Sequence, residues 1–356
     1  MSKNKWFFLA LVLVLALSAC AAPAAAPAAE EAAPAEEAAP AEEAAVEVDP
    51  ADLTFAVCVK SIGANWFSRL EEGLVEFAEE TGATTFLCGP SKGDPAQQIA
   101  IIDEIIAQGV DGLGNVPMGV EEHEPVHKKA LDAGIPVVLH EAPLATNATY
   151  DVEAFDNCAY GEEMMRELAT RMGEAGTYVS FVGSLTNDTH MVWQECAYQY
   201  QLANYPDMTR LGLYDSKEDI EVSYQIFKDL LKTNPEITGM TGSSAGDVVA
   251  IGRAVQEAGL TDSIHVVGTS IASYAGDLIA TGDIDLAMAW DPKLAGKAMC
   301  EVLLRVIRGE TVETGDDLGI SGYENVTVAP NANGLQIITG AAWIKMDAQT
   351  MADYPF

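Results

Sequence analysis

Lysine and arginine are scarce in this chain: 19 of them stand against 54 aspartates and glutamates in 356 residues, a formal charge of −35. That scarcity argues against a nucleic-acid binder, whose phosphate contacts need clustered cations, and equally against a polybasic patch for a membrane surface. The acidity names no partner, because it serves solubility first. Cysteine is sparse too, six residues with no C-x-x-C pair. Besides Cys20 there are five, an odd number set far apart: Cys58, Cys88, Cys158, Cys196 and Cys300. Cys58 and Cys88 fall in apolar, strand-like runs and read as core residues. One disulfide has room to form outside the cytoplasm, but the spacing does not choose the pair. The glycine-rich, lysine-closed loop that cradles phosphates is also missing. The apolar run Trp6–Leu17 is too short to span a bilayer.

That short run has a different meaning. Lys3 and Lys5 precede it, small residues follow, and Leu17-Ser18-Ala19-Cys20 closes it, the layout of a secretory signal. A cysteine at that point resembles the bacterial lipobox, in which residues 1–19 are removed and Cys20 is lipidated. The expected consequence is an anchor in a lipid bilayer, each buried CH₂ contributing about 0.8 kcal/mol. Residues 20–50 are nearly all Ala, Pro and Glu, with EEAAPA starting at Glu30 and Glu36 and EEAAVE at Glu42. Nothing larger than Val stands there to build a core, so the segment is expected to be a disordered tether. Pro34, Pro40 and mutually repelling glutamates should keep it extended.

The remaining three hundred or so residues alternate strand and helix signals and are long enough for two cores. LTFAVCV from Leu53 reads as a buried parallel strand, and Trp66–Glu80 as a helix with Phe67, Leu70, Leu74 and Phe77 on one face. Asp94 caps a further helix that has Pro95 in its first turn. IPVVL from Ile135 is another strand. The series restarts with YVSFVG from Tyr178 and runs through HVVG from His265. Two such βα series imply an α/β fold of two doubly wound parallel-sheet lobes joined by a hinge. Ligands in such sheets bind beyond the carboxyl ends of the strands, so a cleft between facing rims is expected.

Five segments, in order, carry a resemblance: GANWFSRLEEGLVEFAEETG, PAQQIAIIDEIIAQGVDGL, ALDAGIPVVLHEA, AGDVVAIGRAVQEAG and HVVGTSI. They resemble the type I periplasmic sugar-binding proteins of ABC transporters over nearly all of the chain from Leu53 onward. MAWDP at Met288–Pro292 and the glycine-rich tail look most like the branch containing the rhamnose- and autoinducer-2-binding proteins. The resemblance implies residues 51–154 with about 291–335 as the N-terminal lobe, and 155–290 with about 336–356 as the C-terminal lobe. It also implies a monomeric binding protein without cofactor or catalysis, delivering a small sugar or polyol to an ABC permease. A ligand-sensing subunit of a receptor would use the same pocket.

Rim positions supply the candidate ligand residues. Lys60 ends the first strand and precedes Asn65, Trp66 and Phe67, whose rings could stack on the C–H face of a sugar; the position of Lys60 is a ligand contact in the autoinducer-2 branch. His140 and Glu141 follow IPVVL, where the family usually has an aspartate gripping two hydroxyls. Asp188, Thr189 and His190 follow YVSFVG, and Thr189 and His190 match an Asp-Gln pair of the autoinducer-2 binders. Asp188 could equally be a helix N-cap. Ser243 stands where that branch has a proline, close to Ala245. Asp247 matches a common sugar-binding aspartate, or is a first-turn helix residue. Ser270, Trp290 and Asp291 complete the set, the last two near a hinge crossing. These departures count against strict autoinducer-2 recognition and leave a rhamnose-like monosaccharide or related polyol as the better expectation.

One sharper motif competes. His123-Glu124-Pro125-Val126-His127 spells H-E-x-x-H, the zinc-peptidase signature. That chemistry needs both histidines on one helix, and Pro125 is expected near the helix start, leaving His123 outside it. Gly268–Ala272 half-spells a hydrolase elbow without its last glycine or a partner histidine. Neither motif demands an enzyme.

Overall fold

The computed structural model describes residues 48–356; the expected signal segment, Cys20 and most of the expected tether lie outside them. The folded part starts slightly before residue 51. Asp49 accepts a hydrogen bond from Ala51 N–H at 3.0 Å and caps a 3-10 turn over Pro50–Asp52, while Val48 packs on the core.

The first series runs β1 (Thr54–Cys58), α1 (Asn65–Thr81), β2 (Thr84–Cys88), α2 (Pro95–Gln108), β3 (Gly112–Asn115), α3 (Val120–Asp132), β4 (Val137–Leu139) and β5 (Tyr150–Glu153). The second runs α4 (Asn157–Met172), β6 (Gly176–Val182), α5 (Asp188–Asn204), β7 (Met208–Asp215), α6 (Ile220–Thr233), β8 (Ile237–Gly242), α7 (Ala245–Ala258), β9 (His265–Thr269), α8 (Ala272–Thr281) and β10 (Leu286–Ala289). The tail supplies α9 (Pro292–Ile307), β11 (Thr327–Pro330), β12 (Gln336–Thr339) and β13 (Ile344–Met346).

Local chemistry accounts for these elements. Helix α1 buries Trp66, Phe67, Leu70, Leu74 and Phe77 on one face and stops at Gly82, which takes the left-handed conformation at φ 84°. Helix α2 starts where Asp94 Oδ1 accepts from Gln97 N–H at 3.0 Å, with Pro95 pre-set in its first turn. Strand β1 is buried on both sides. Phe55, Val57 and Val59 join the cluster of Leu70, Leu74 and Phe77, whereas Ala56 and Cys58 join Ile102 and Ile105. Helices therefore cover both faces of the first sheet, which is why β1 reads as a continuous apolar run rather than an alternating one.

Two sheets result, in strand order β11-β12-β5-β4-β3-β1-β2 and β13-β10-β9-β8-β6-β7. All pairs are parallel except β11 with β12 and β13 with β10. Each sheet reverses strand order beside its own first strand, β1 or β6, and these are the switch points where the rims open. The chain passes between the sheets after β5, after β10, and between β12 and β13. Because β12 pairs with β5 in the first sheet, the last passage falls at Gly340–Trp343 rather than at the expected 335/336. Gly340 N–H and Ala342 N–H donate to Glu153 O and Ala154 O at 2.8 and 2.9 Å, so the first and third passages are hydrogen-bonded to each other.

The cysteines correct the sequence reading. Among the described residues two disulfides are present: Cys58–Cys88 and Cys158–Cys196. The first joins residues that are register partners on adjacent strands β1 and β2, and the second staples α4 to α5. Cys300 is free and buried, and burial pushes its thiol above the ordinary value.

Candidate functional site

The carboxyl ends of strands from both sheets enclose a cavity of about 80 Å³, several times the space one water needs. From the first lobe come Lys60 and Ser61 after β1, Ala64, Trp66 and Phe67 at the start of α1, and Glu141 after β4. The second lobe gives His190 on α5, Glu218 after β7, Ser243 to Gly246 after β8, Thr269 ending β9, and Tyr274 on α8. Trp290 stands at the passage between lobes. Lys60, Glu141, His190 and Ser243 are each no more than 4 % exposed and form the shielded inner wall, whereas Ser61, Ala64, Glu218 and Tyr274 are partly exposed at the mouth.

Its electrostatics are unbalanced. Lys60 and Glu141, both buried, form a short ion pair, and Glu141 holds a left-handed backbone at φ 58°, a conformation that side chains other than glycine adopt at a cost. His190 Nδ1 accepts from Gly183 N–H at 3.1 Å, which leaves its proton on Nε2. Burial first, and then the Lys60 charge, hold its pKa far below the usual value, so the ring is neutral. Glu218 is a second carboxylate in the wall. Ser244 Oγ–H donates to its Oε2 at 2.5 Å, while Oε1 has no hydrogen-bond partner. The carboxylate lies flat over Gly183, where an added Cβ would stand 2.1 Å from Oε1.

Trp290 is fixed by its neighbours. Its Nε1–H donates to His140 Nε2 at 3.1 Å, and His140 Nδ1–H donates to Val152 O at 2.6 Å. His140 is therefore neutral, buried behind the indole and outside the cavity wall. Trp66 meets Trp290 edge to face with centroids 4.6 Å apart, and Phe155 does so at 5.3 Å.

Of the residues expected from sequence, Lys60, Trp66, Phe67, Glu141, His190, Ser243, Ala245 and Trp290 line the cavity together. The others do not, for identifiable reasons. Asn65 is exposed on the first turn of α1. Asp188 is half-buried in the first turn of α5, and the cap is its neighbour Asn187, whose Oδ1 accepts from His190 N–H at 3.2 Å. Burial and then Glu122, Glu121 and Glu124 on α3 raise the Asp188 pKa. Thr189 is buried and its hydroxyl has no partner. Asp247 is turned into the protein, where its carboxylate accepts from Ser244 N–H at 3.0 Å and Ser223 Oγ–H at 2.8 Å. Ser270 Oγ–H donates to Ala245 O at 3.0 Å. Asp291 caps α9 and grips Arg69 with both oxygens, at 2.9 and 2.7 Å.

Sequence reading missed Ser61, Ala64, Gly246, Thr269, Tyr274 and, above all, Glu218. The carboxyl end of β7 is a rim like the others, and the chain that leaves it reaches Lys217 and Glu218.

The H-E-x-x-H segment is also corrected. Helix α3 begins at Val120 and carries Pro125 inside it, so His123 lies within the helix. Both histidines are buried in the lobe interior: His123 Nδ1–H donates to Gly119 O at 2.6 Å, and Asn115 Nδ2–H donates to His127 Nε2 at 2.7 Å. Glu124 accepts from the backbone N–H groups of Thr146 and Asn147 at 2.7 and 2.8 Å, bracing that loop. Among the described residues no three metal-binding side chains gather. The residues of a peptidase site are thus committed to structure.

Comparison with known proteins agrees with this geometry. The profile of the "Periplasmic binding protein domain" family matches residues 55–311, and the chain belongs to that family, one of binding proteins rather than enzymes. Among relatives, it is 23 % identical over 292 residues to the D-ribose/D-allose-binding protein of Pseudomonas aeruginosa, covering 79 % of this chain and 90 % of that one. It is 26 % identical over 262 residues to the xylitol-binding protein of Mycolicibacterium smegmatis, covering 70 % and 71 %. A Clostridium phytofermentans ABC transporter solute-binding protein with bound L-rhamnose superposes with a TM-score of 0.78 at 18 % identity, over 85 % of this chain and 98 % of that one. LsrB from Clostridium saccharobutylicum in complex with AI-2 gives the same score and identity, over 85 % and 100 %. At such identities these structures establish the type I periplasmic-binding-protein fold and nothing about the ligand.

Proposed function

We propose that this protein is the solute-capturing component of an ABC importer for a small sugar or polyol, held by a lipid on Cys20 outside the cytoplasmic membrane. The observation that carries this reading is the cavity between two lobes, walled by carboxylates, a lysine, hydroxyls and indole rings. Carboxylate and hydroxyl groups pair with sugar hydroxyls, each unpaired buried one costing about 1–3 kcal/mol, and Trp66, Phe67 and Trp290 offer apolar faces to ring C–H groups. Relatives named for ribose, allose and xylitol support the same class of ligand. Lys60, Glu141, His190, Ser243, Ala245 and Trp290 are the proposed contacts. Capture is by hinge closure, and a monomeric closed form is presented to the permease.

A thermal-shift screen over monosaccharides, alditols and autoinducer-2 tests this. A ligand that binds the native state raises the melting temperature by mass action, by about 2.7 kcal/mol of stability at a hundredfold excess over Kd. At least one sugar or polyol is expected to do so. Silence across the whole panel sinks the reading, and a shift with autoinducer-2 alone moves it to that ligand.

A further inference from the structure

The cavity wall holds one cation against two carboxylates. Lys60 is paired with Glu141, and His190 is held neutral with Nδ1 accepting from Gly183. Glu218 therefore has no protein cation of its own: His190 Nδ1 approaches Oε1 only to 3.9 Å and carries no proton to give it. Its one hydrogen bond comes from Ser244 Oγ, although a carboxylate can accept about four. The position is also constructed rather than incidental. Lys217 and Glu218 both take left-handed backbone, at φ 57° and 53°, Glu218 N–H donates to Gly183 O at 2.9 Å, and only glycine at 183 leaves room for the carboxylate. Two strained residues hold an acid at the rim of a closing cleft, where an uncompensated charge is costly.

Resting on the sugar or polyol reading above, we propose that the ligand is a polyol bearing a protonated amine, and that Glu218 is the residue that binds its ammonium. The neutral hydroxyls of such a ligand fall to Glu141, Lys60 and the serines, and its cation completes the charge balance of the wall. The acidic surface of the whole chain draws cations toward the cleft.

The pH dependence has a defined sign. The groups facing Glu218 are Lys60 from the end of β1, Glu141 from the end of β4, His190 from α5, Asp215 from β7, Ser244 before α7, Asp247 on α7 and Tyr274 on α8. Burial raises the carboxyl, Lys60 and then the Ser244 hydrogen bond lower it, and Glu141 and Asp215 raise it. A bound ammonium favours the ionised form, so amine affinity weakens as pH falls through the carboxyl's own pKa. A neutral polyol brings no charge for the carboxylate to pair, so its affinity should change less over the same range.

The test is calorimetric titration of the full chain with matched pairs, D-glucosamine against D-glucose, D-galactosamine against D-galactose, and 1-amino-1-deoxyxylitol against xylitol, at pH 4 and 7.5. In at least one pair the amine is expected to bind tenfold or more tightly at pH 7.5, losing that advantage toward pH 4, below the ordinary glutamate value from which burial raises this carboxyl. Glu218→Gln is expected to abolish the amine's advantage over its neutral partner and the pH dependence of that advantage. Neutral partners that bind as well as their amines overturn this proposal and leave the sugar reading intact. Binding by no member of any pair, nor by any sugar of the wider panel, overturns both. Should Glu218→Gln fold poorly, the wild-type pH trend decides alone: amine affinity that is flat or rises toward pH 4 is a refutation.

Discussion

Two buried residue environments make opposite demands on stability. Lys60 and Glu141 compensate each other, and removing one partner of a buried pair leaves a bare charge, a loss of about 3–5 kcal/mol. Lys60→Met keeps the side chain's length without its charge and should lower unfolding free energy by that order. Adding Glu141→Asn, a residue that tolerates the left-handed backbone found there, should restore part of the loss while ligand binding stays abolished. Denaturant titration of the double-mutant cycle checks this, and no recovery would mean the two side chains act independently. Asp247 is the converse case. Burial, its largest influence, raises its pKa from 3.8 to about 7 in the folded state. The folded protein keeps this proton at pH values where the unfolded chain has released it. The resulting stabilisation is fully present below about pH 4 and is lost as pH rises to about 7, at roughly 1.4 kcal/mol per pKa unit. Asp247→Asn can still accept from Ser244 N–H and donate to Ser223 Oγ, so it should stabilise the protein at pH 8 and flatten the profile between pH 4 and 7. Asp151, also raised to about 7 by burial, keeps some slope in place. Melting temperatures across that range measure the difference; an unchanged slope would remove Asp247 as its source.

At the scale of elements, legibility tracked how local the determining physics is. Helix α2 was readable because its cap, its first-turn proline and its apolar face all lie within fourteen residues or so of one another. The interior strand β5 and helix α4 were not read. β5 carries Asp151 and Glu153 on a buried strand, so its composition hides its location. Helix α3 misled because proline's preference for the first turn is a local rule, and the packing of Val120 and Val126 into the core overrode it. Site residues at strand ends followed from topology. Which of them face the cavity depends on side-chain direction, and a capping aspartate such as Asp247 has the same sequence signature as a ligand contact. The Cys58–Cys88 bridge depends on the β1–β2 register, information that spacing alone does not hold. Each disulfide closes a loop of 30 or 38 residues, for which chain entropy gives about 3–4 kcal/mol. Replacing either pair by serine should lower the melting temperature by several degrees. The Cys58–Cys88 replacement should also weaken ligand binding, because Lys60 lies two residues beyond Cys58 and Val59 N–H donates to Cys88 O at 2.7 Å. Equal effects of the two replacements on affinity would argue against that coupling. The oxidised pairs fit an extracytoplasmic location.

For the whole molecule, the shielded inner wall of the cavity poses an access problem. Lys60, Glu141, His190 and Ser243 are nearly inaccessible and the indoles of Trp66 and Trp290 are buried beside them, so a ligand cannot reach its contacts while the lobes stay together. The three passages between sheets are where the chain can bend, and two of them, after β5 and at Gly340–Trp343, are tied by hydrogen bonds and must move as a unit. Opening also exposes Glu218 and the Lys60–Glu141 pair to water, which relieves the cost of an unfilled acid, whereas a ligand that satisfies them favours closure. The ligand-free domain is therefore expected to populate an open form with a larger radius of gyration than the liganded one, whose compact value should lie near 19–20 Å for a chain of this length. Small-angle scattering of the folded domain with and without saturating ligand measures this directly. Quenching or enhancement of tryptophan emission should accompany it, since Trp66 and Trp290 line the cavity that closes. Identical scattering curves and unchanged emission at saturation would mean that the closed arrangement persists without ligand, and entry would then require a local opening of the rim in place of hinge motion.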